Sequence, residues 1–322
     1  MPDVDRIPVL VHDDGTPNAT ITMQRALRVA SRIVYAVGPN SANHTTNIAA
    51  ADAADIPVTV ETLPERNDVR DALALCPDHD TYLAYLTHPG EHTGVLLRNI
   101  IQAAARDDYA RLPVLAVHIA HPDAPATGPV VELDPAHSDA GFAALFAAGL
   151  AASLRTPLHI LRLAGDRSDA DLRAADALHQ ARRLIADQHL AVYHHDTDRP
   201  PLDAATHYAN GAYAVVMGIG GFAVSGHKLT HPSQLPNRVL DTPDGQLAHH
   251  LTRHANTDVV VVLDAIDHHH SPAARAAAIA AAVGAVAAGT VAAGPVGYVA
   301  TSTSIAAATA YHDTRHNQPP PP

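Results

Sequence analysis

Short apolar runs alternate with amphipathic stretches over most of the chain. Ile7–His12 has the continuous apolar character of a buried strand, and the turn cluster Asp13–Asn18 follows it. Ile21–Val29 carries helical spacing through Met23 and Leu27. Ile33–Val37 is strand-like again and ends at Gly38-Pro39. The same reading places a short helix at Ile48–Ala54, a strand at Pro57–Glu61 and a helix at Asp68–Leu75. Tyr82–Leu86 is then a strand, Val95–Ala105 a helix and Val114–Ile119 a strand.

The second half repeats that order. Strands are expected at Pro129–Leu133, Leu158–Leu163, Leu190–His194, Ala214–Met217 and Val259–Leu263. Helices are expected from a Ser138 cap to Leu154, then at Asp169–Asp187, Leu202–Asn210 and Leu247–His254. Strands separated by helices imply right-handed crossovers and parallel pairing. The expected fold is therefore α/β: two tandem Rossmann-like units, each a five-stranded parallel sheet flanked by helices. The first unit spans 1–120 and the second 129–267, with 121–128 as a Pro- and Ala-rich linker.

Residues 268–322 break the pattern. Ser271–Ala288 is almost all Ala, Val, Ile and Gly, and the chain ends in four prolines. Ala280–Ala300 has the length of a membrane span. Ala and Gly insert weakly, however, and no basic flank anchors it. The expectation is a segment that packs on the domain or on a partner, before a proline tract without fixed structure.

Composition narrows the function. The chain has 322 residues and 47% hydrophobic residues, but no Trp and 3 Phe, so small aliphatic side chains must build the cores. A formal net charge of −12 makes it a poor binder of nucleic-acid backbone. Cys76 is the one cysteine, which excludes an internal disulfide. The N-terminus lacks a signal-peptide layout, so the cytoplasm is the expected location.

In an open parallel sheet, ligands bind beyond the carboxyl ends of the strands. In the second half, Val130-Val131-Glu132-Leu133-Asp134 puts a carboxylate at such an end. Asp134 is suited to the amino group of adenine or to a metal. Val215-Val216-Met217-Gly218-Ile219-Gly220-Gly221 supplies glycines that let the backbone approach ribose and phosphate. Gly245 and Gln246 open the last helix, whose N-terminus favours anions.

With these segments in this order, the chain resembles a tandem universal stress protein, of the adenine nucleotide alpha hydrolase-like superfamily. Val9–Thr16 and Val130–Asp134 resemble the family's opening strand, Val215–Gly221 its Gly-x-x-Gly stretch, and Gly245–Val262 its last helix and strand. The resemblance implies ATP or another adenine nucleotide, with or without Mg²⁺, bound in the second unit. It would give Asp134 to adenine or metal, Gly218 and Gly221 to ribose and phosphate, and Gly245 and Gln246 to the distal phosphates. It also implies an intramolecular pseudo-dimer, with a homodimer as a further option, and at most a slow ATPase. The alternative is a nucleotide-free scaffold that binds a protein partner, such as a membrane complex, through its tail.

The departures are specific. The stretch Phe222–Asp244 is longer than the family spacing and carries Lys228, the only lysine in the chain. Lys228 is a candidate replacement for lost phosphate contacts. Gln246 stands where the family has a hydroxyl. In the first half, Thr87-His88-Pro89-Gly90-Glu91 lacks the paired glycines, and Glu91 repels phosphate, so that unit is expected to be degenerate. Among 24 histidines, His250 and His254 have helical i,i+4 spacing, and His194-His195-Asp196 and His268-His269-His270 form clusters. None completes a zinc motif.

Overall fold

The computed structural model describes residues 7–39, 41–79, 81, 83–104, 114–134, 141–163, 191–197, 199–219 and 235–264. The first half supplies β1 (Ile7–Asp13), β2 (Ala30–Val37), β3 (Val58–Thr62), β4 (Leu83–Thr87) and β5 (Val114–Ala120). The second supplies β6 (Val130–Asp134), β7 (Leu158–Arg162), β8 (Val192–Asp196), β9 (Ala214–Ile219) and β10 (Asp258–Asp264). The strands form one sheet, ordered β3-β2-β1-β4-β5-β10-β9-β6-β7-β8. Neighbours pair in parallel except at the β5–β10 seam, which is antiparallel. Each half thus repeats one internal order, and the halves meet edge to edge about an approximate two-fold axis normal to the sheet. Such an axis makes the two meeting strands run in opposite directions.

Burial follows position. β4 and β9, inside the sheet, are buried along their whole length, and β3 and β8, at its two edges, are not. Covered on both faces, the inner strands read as continuous apolar runs, which is how the sequence exposes them. One face carries α1 (Ala19–Ala26), α2 (His44–Ala53) and α5 (Gly141–Leu154) over a core that includes Met23, Tyr35, Tyr85, Ala147, Ala151 and Tyr213. The other carries α3 (Val69–Leu73), α4 (Thr93–Ala104), α6 (Pro201–Ala209), α7 (Leu235–Leu240) and α8 (Pro243–His254) over Leu97, Ile100, Met217, Leu247 and Leu251. The alanines of α5 let that helix sit close to β6 and β9, so the core closes without large aromatic residues.

Several expected boundaries shift for local reasons. α8 starts at Pro243, four residues before the expected Leu247, because the Thr242 side chain caps it and Pro243 presets the first helical φ. α7 occupies part of the stretch read from sequence as an insert. The expected helix Asp169–Asp187, the Ser138 cap, Gly221, Lys228 and the tail lie outside the described residues.

A buried polar cluster ties the halves together at the seam. Asp258, at the start of β10, is fully buried. It contacts His118 of β5 at 2.8 Å and accepts the backbone N–H of His121 at 2.9 Å. Arg25 of α1 places Nε 3.0 Å from the same carboxylate, as an ion pair outside hydrogen-bond alignment. The Arg25 guanidinium lies 5.0 Å over the Tyr213 ring and donates to Ala124 O at 2.9 Å. Burial pushes the Tyr213 phenol up to about 12, so it stays neutral.

Candidate functional site

In each half the strand order reverses beside the first strand: between β1 and β4, and between β6 and β9. These switch points are where an α/β sheet opens a crevice.

In the first crevice, the chain's own donors engage the strand-end carboxylate. Asp13, at the end of β1, is fully buried. It accepts from the Gly15 N–H at 2.8 Å, Ser41 Oγ at 2.7 Å, Asn43 Nδ2 at 3.2 Å and the Tyr35 hydroxyl. Asn47 Nδ2 donates to the Tyr35 oxygen at 3.0 Å, and Asn67 Nδ2 to Asp13 O at 2.7 Å. Four donors leave this carboxylate little capacity for a ligand. Thr93 opens α4, and its hydroxyl is buried with no hydrogen-bond partner among the described residues. In the sequence, Glu91 and the missing glycines set this crevice apart. The Ser41–Asn43–Asn67 cluster leaves no local signal in the sequence, because its members are spread over two loops.

His12 belongs to the same network, with Nε2 3.1 Å from Asn67 Oδ1. Burial outweighs the pull of Asn67, Asp14 and Asp13 and holds its pKa below the ordinary 6.5. The folded protein therefore binds fewer protons here than the unfolded chain does. The stabilisation is full above 6.5 and is lost as pH falls below it. Urea midpoints are expected to drop between about pH 7.5 and about pH 5.5, and to drop less in His12→Gln. Equal drops would contradict this assignment.

The second crevice keeps two of the sequence-predicted residues together. Leu133 pairs with Met217, which brings Asp134 and Gly218 to adjacent positions on neighbouring strands. Gly218 is buried and also pairs with Val262 of β10. Glu132, two residues before Asp134, is buried as well.

Gly245 and Gln246 occupy the first turn of α8, and their geometry favours packing. A Cβ on Gly245 would stand 2.1 Å from Val239 O and 2.7 Å from the Leu240 Cα. Glycine is what lets α7 and α8 approach so closely. The Gly245 N–H already donates to Thr242 Oγ1 at 3.1 Å, and the Gln246 N–H to Thr242 O at 2.9 Å. Pro243 has no N–H to give. This turn thus offers a phosphate the positive end of the helix but not those two amides.

His250 and His254 do face each other on α8, with ring centroids 4.9 Å apart, and His250 Nε2 lies 3.1 Å from Thr206 Oγ1. Among the described residues no group of three or more His, Cys, Asp or Glu surrounds a common metal position. No described helix is long and apolar enough to cross a membrane.

No protein-family model and no curated protein matches the chain. Solved structures do. A functionally unknown protein from Pseudomonas aeruginosa PAO1 aligns at 16% identity with a TM-score of 0.49, over 88% of this chain and 98% of that one. A universal stress protein from Archaeoglobus fulgidus DSM 4304 aligns at 14% identity with a TM-score of 0.51, over 80% of this chain and 96% of that one. The latter likeness shows the fold: α/β, with a large, mostly parallel sheet similar to that of universal stress proteins.

Proposed function

We propose that this chain is a nucleotide-binding regulatory protein of the universal stress type, with one adenine-nucleotide site, in its second half. The observation that carries the reading is the adjacent placement of Asp134 and Gly218 on neighbouring strands. Both lie at the β6–β9 switch point, and Asp13, at the first switch point, already accepts from donors of its own chain. In this reading Asp134 contacts the adenine amino group or a Mg²⁺ ion. Gly218 and Gly221 lie against ribose and phosphate, and Lys228 replaces charge that the α8 amides do not supply. Gln246 and the α8 dipole face the distal phosphates. In this reading turnover is slow and incidental, because no general base is identified among the described residues.

Calorimetric titration with ATP and Mg²⁺ tests this on wild type, Asp134→Ala and Gly218→Val, with melts to confirm folding. Wild type is expected to bind one nucleotide per chain, and each substitution to weaken binding by about tenfold or more, or about 1.4 kcal/mol. Absence of binding at millimolar ATP would sink the proposal. The engaged Gly245 and Gln246 amides favour a second reading, a nucleotide-free scaffold whose partner binds residues 268–322. That reading predicts the blank titration.

A further inference from the structure

The sequence singles out His194-His195-Asp196 without giving it a role. The fold adds a partner that the sequence does not suggest. β7 and β8 pair with His159 opposite Tyr193 and Leu161 opposite His195. Two-residue alternation puts His159, Tyr193 and His195 on one face of the sheet's outer end. There His195 Nε2 and His159 Nδ1 are 3.2 Å apart, with the rings tilted by 30°. Tyr208 of α6 packs against the His195 ring at 4.8 Å and steadies it.

Both rings are part-exposed. Among the described residues neither forms a hydrogen bond or ion pair with a carboxylate. Burial and the neighbouring imidazole also lower the His159 pKa, so its ring is neutral at pH 7 and keeps a lone pair to donate. Two imidazole nitrogens on one tetrahedral zinc, each about 2.0–2.1 Å from the metal, stand about 3.3 Å apart. The observed 3.2 Å separation is close to that bite.

We propose that His159 and His195 form a two-imidazole chelate for a zinc-class divalent cation. The cation takes the place of the proton between the two nitrogens. That proton moves to the far nitrogen of its own ring, so both imidazoles stay neutral and no net proton is released. Waters complete the coordination. The site lies on the face of the sheet, at least one strand away from the β6–β9 crevice, and is independent of nucleotide binding.

The test is a calorimetric titration of the full chain with ZnCl₂. His121, His254, His268, His269 and His270 are first changed to Gln, which breaks the His88–His121 ring pair, the His250–His254 pair and the 268–270 run. This parent is expected to bind one zinc and to gain thermal stability from it. His159→Gln and His195→Gln, each made in the parent, are expected to weaken binding about a hundredfold, the gain that a second tethered ligand confers. Both should also abolish the zinc-dependent rise in Tm. If one variant fails to fold, the other decides. No zinc uptake by the parent, or uptake that the substitutions leave unchanged, would overturn the proposal.

Discussion

Replacing Asp258 with alanine is expected to cost about 3–5 kcal/mol of stability, the usual penalty for removing one partner of a buried pair. Asp258 is fully buried and faces Arg25, His118 and the His121 N–H. Its loss strands a guanidinium with 6% side-chain exposure in an apolar seam. The penalty comes from that unpaired charge, so removing both charges should be milder. Arg25→Met with Asp258→Leu is expected to recover a large part of the loss, although the Arg25 bond to Ala124 O goes with it. Urea unfolding of wild type, Arg25→Met, Asp258→Leu and the double variant makes the cycle, with Asp258→Ala measured beside it. An Asp258→Ala loss below about 1 kcal/mol would show that the seam does not depend on this cluster.

Asp13→Ala is the second large effect. It removes one acceptor from four donors: Asn43 Nδ2 keeps the Thr16 oxygen, but the Tyr35 hydroxyl, which otherwise only accepts from Asn47 Nδ2, is left with no acceptor among the described residues. Buried donors left without partners cost about 1–3 kcal/mol each, less what relaxation and water recover. A loss of about 3 kcal/mol is expected, and a smaller one for Asp13→Asn, which keeps an acceptor oxygen. ATP affinity should stay within about twofold of wild type, because this carboxylate serves the fold. A large loss of affinity at unchanged stability would move the nucleotide to the first half.

Much of the fold was legible in the sequence because the inner strands are buried on both faces and read as apolar runs bounded by turn residues. Val9–Val11, Val215–Met217 and Val259–Leu263 are such runs, and all are strands. The seam was not legible. The residues that bring β5 and β10 together, Arg25, His118 and Asp258, are far apart in sequence and have ordinary local contexts. Helix starts were missed where capping outweighs the apolar period, as at Thr242-Pro243. Gly245 shows a further limit. Its position in the sequence fits a phosphate loop, but its surroundings are those of a helix-packing glycine. Chain spacing cannot distinguish the two, because both uses need the same missing Cβ.

The most direct test of the central claim is hydrogen exchange with and without Mg²⁺-ATP, read separately at the two crevices. The account predicts new protection at the ends of β6 and β9, around Asp134 and Gly218, and none around Asp13, Ser41 and Asn67. Protection confined to the first crevice, or none at saturating nucleotide, would contradict it.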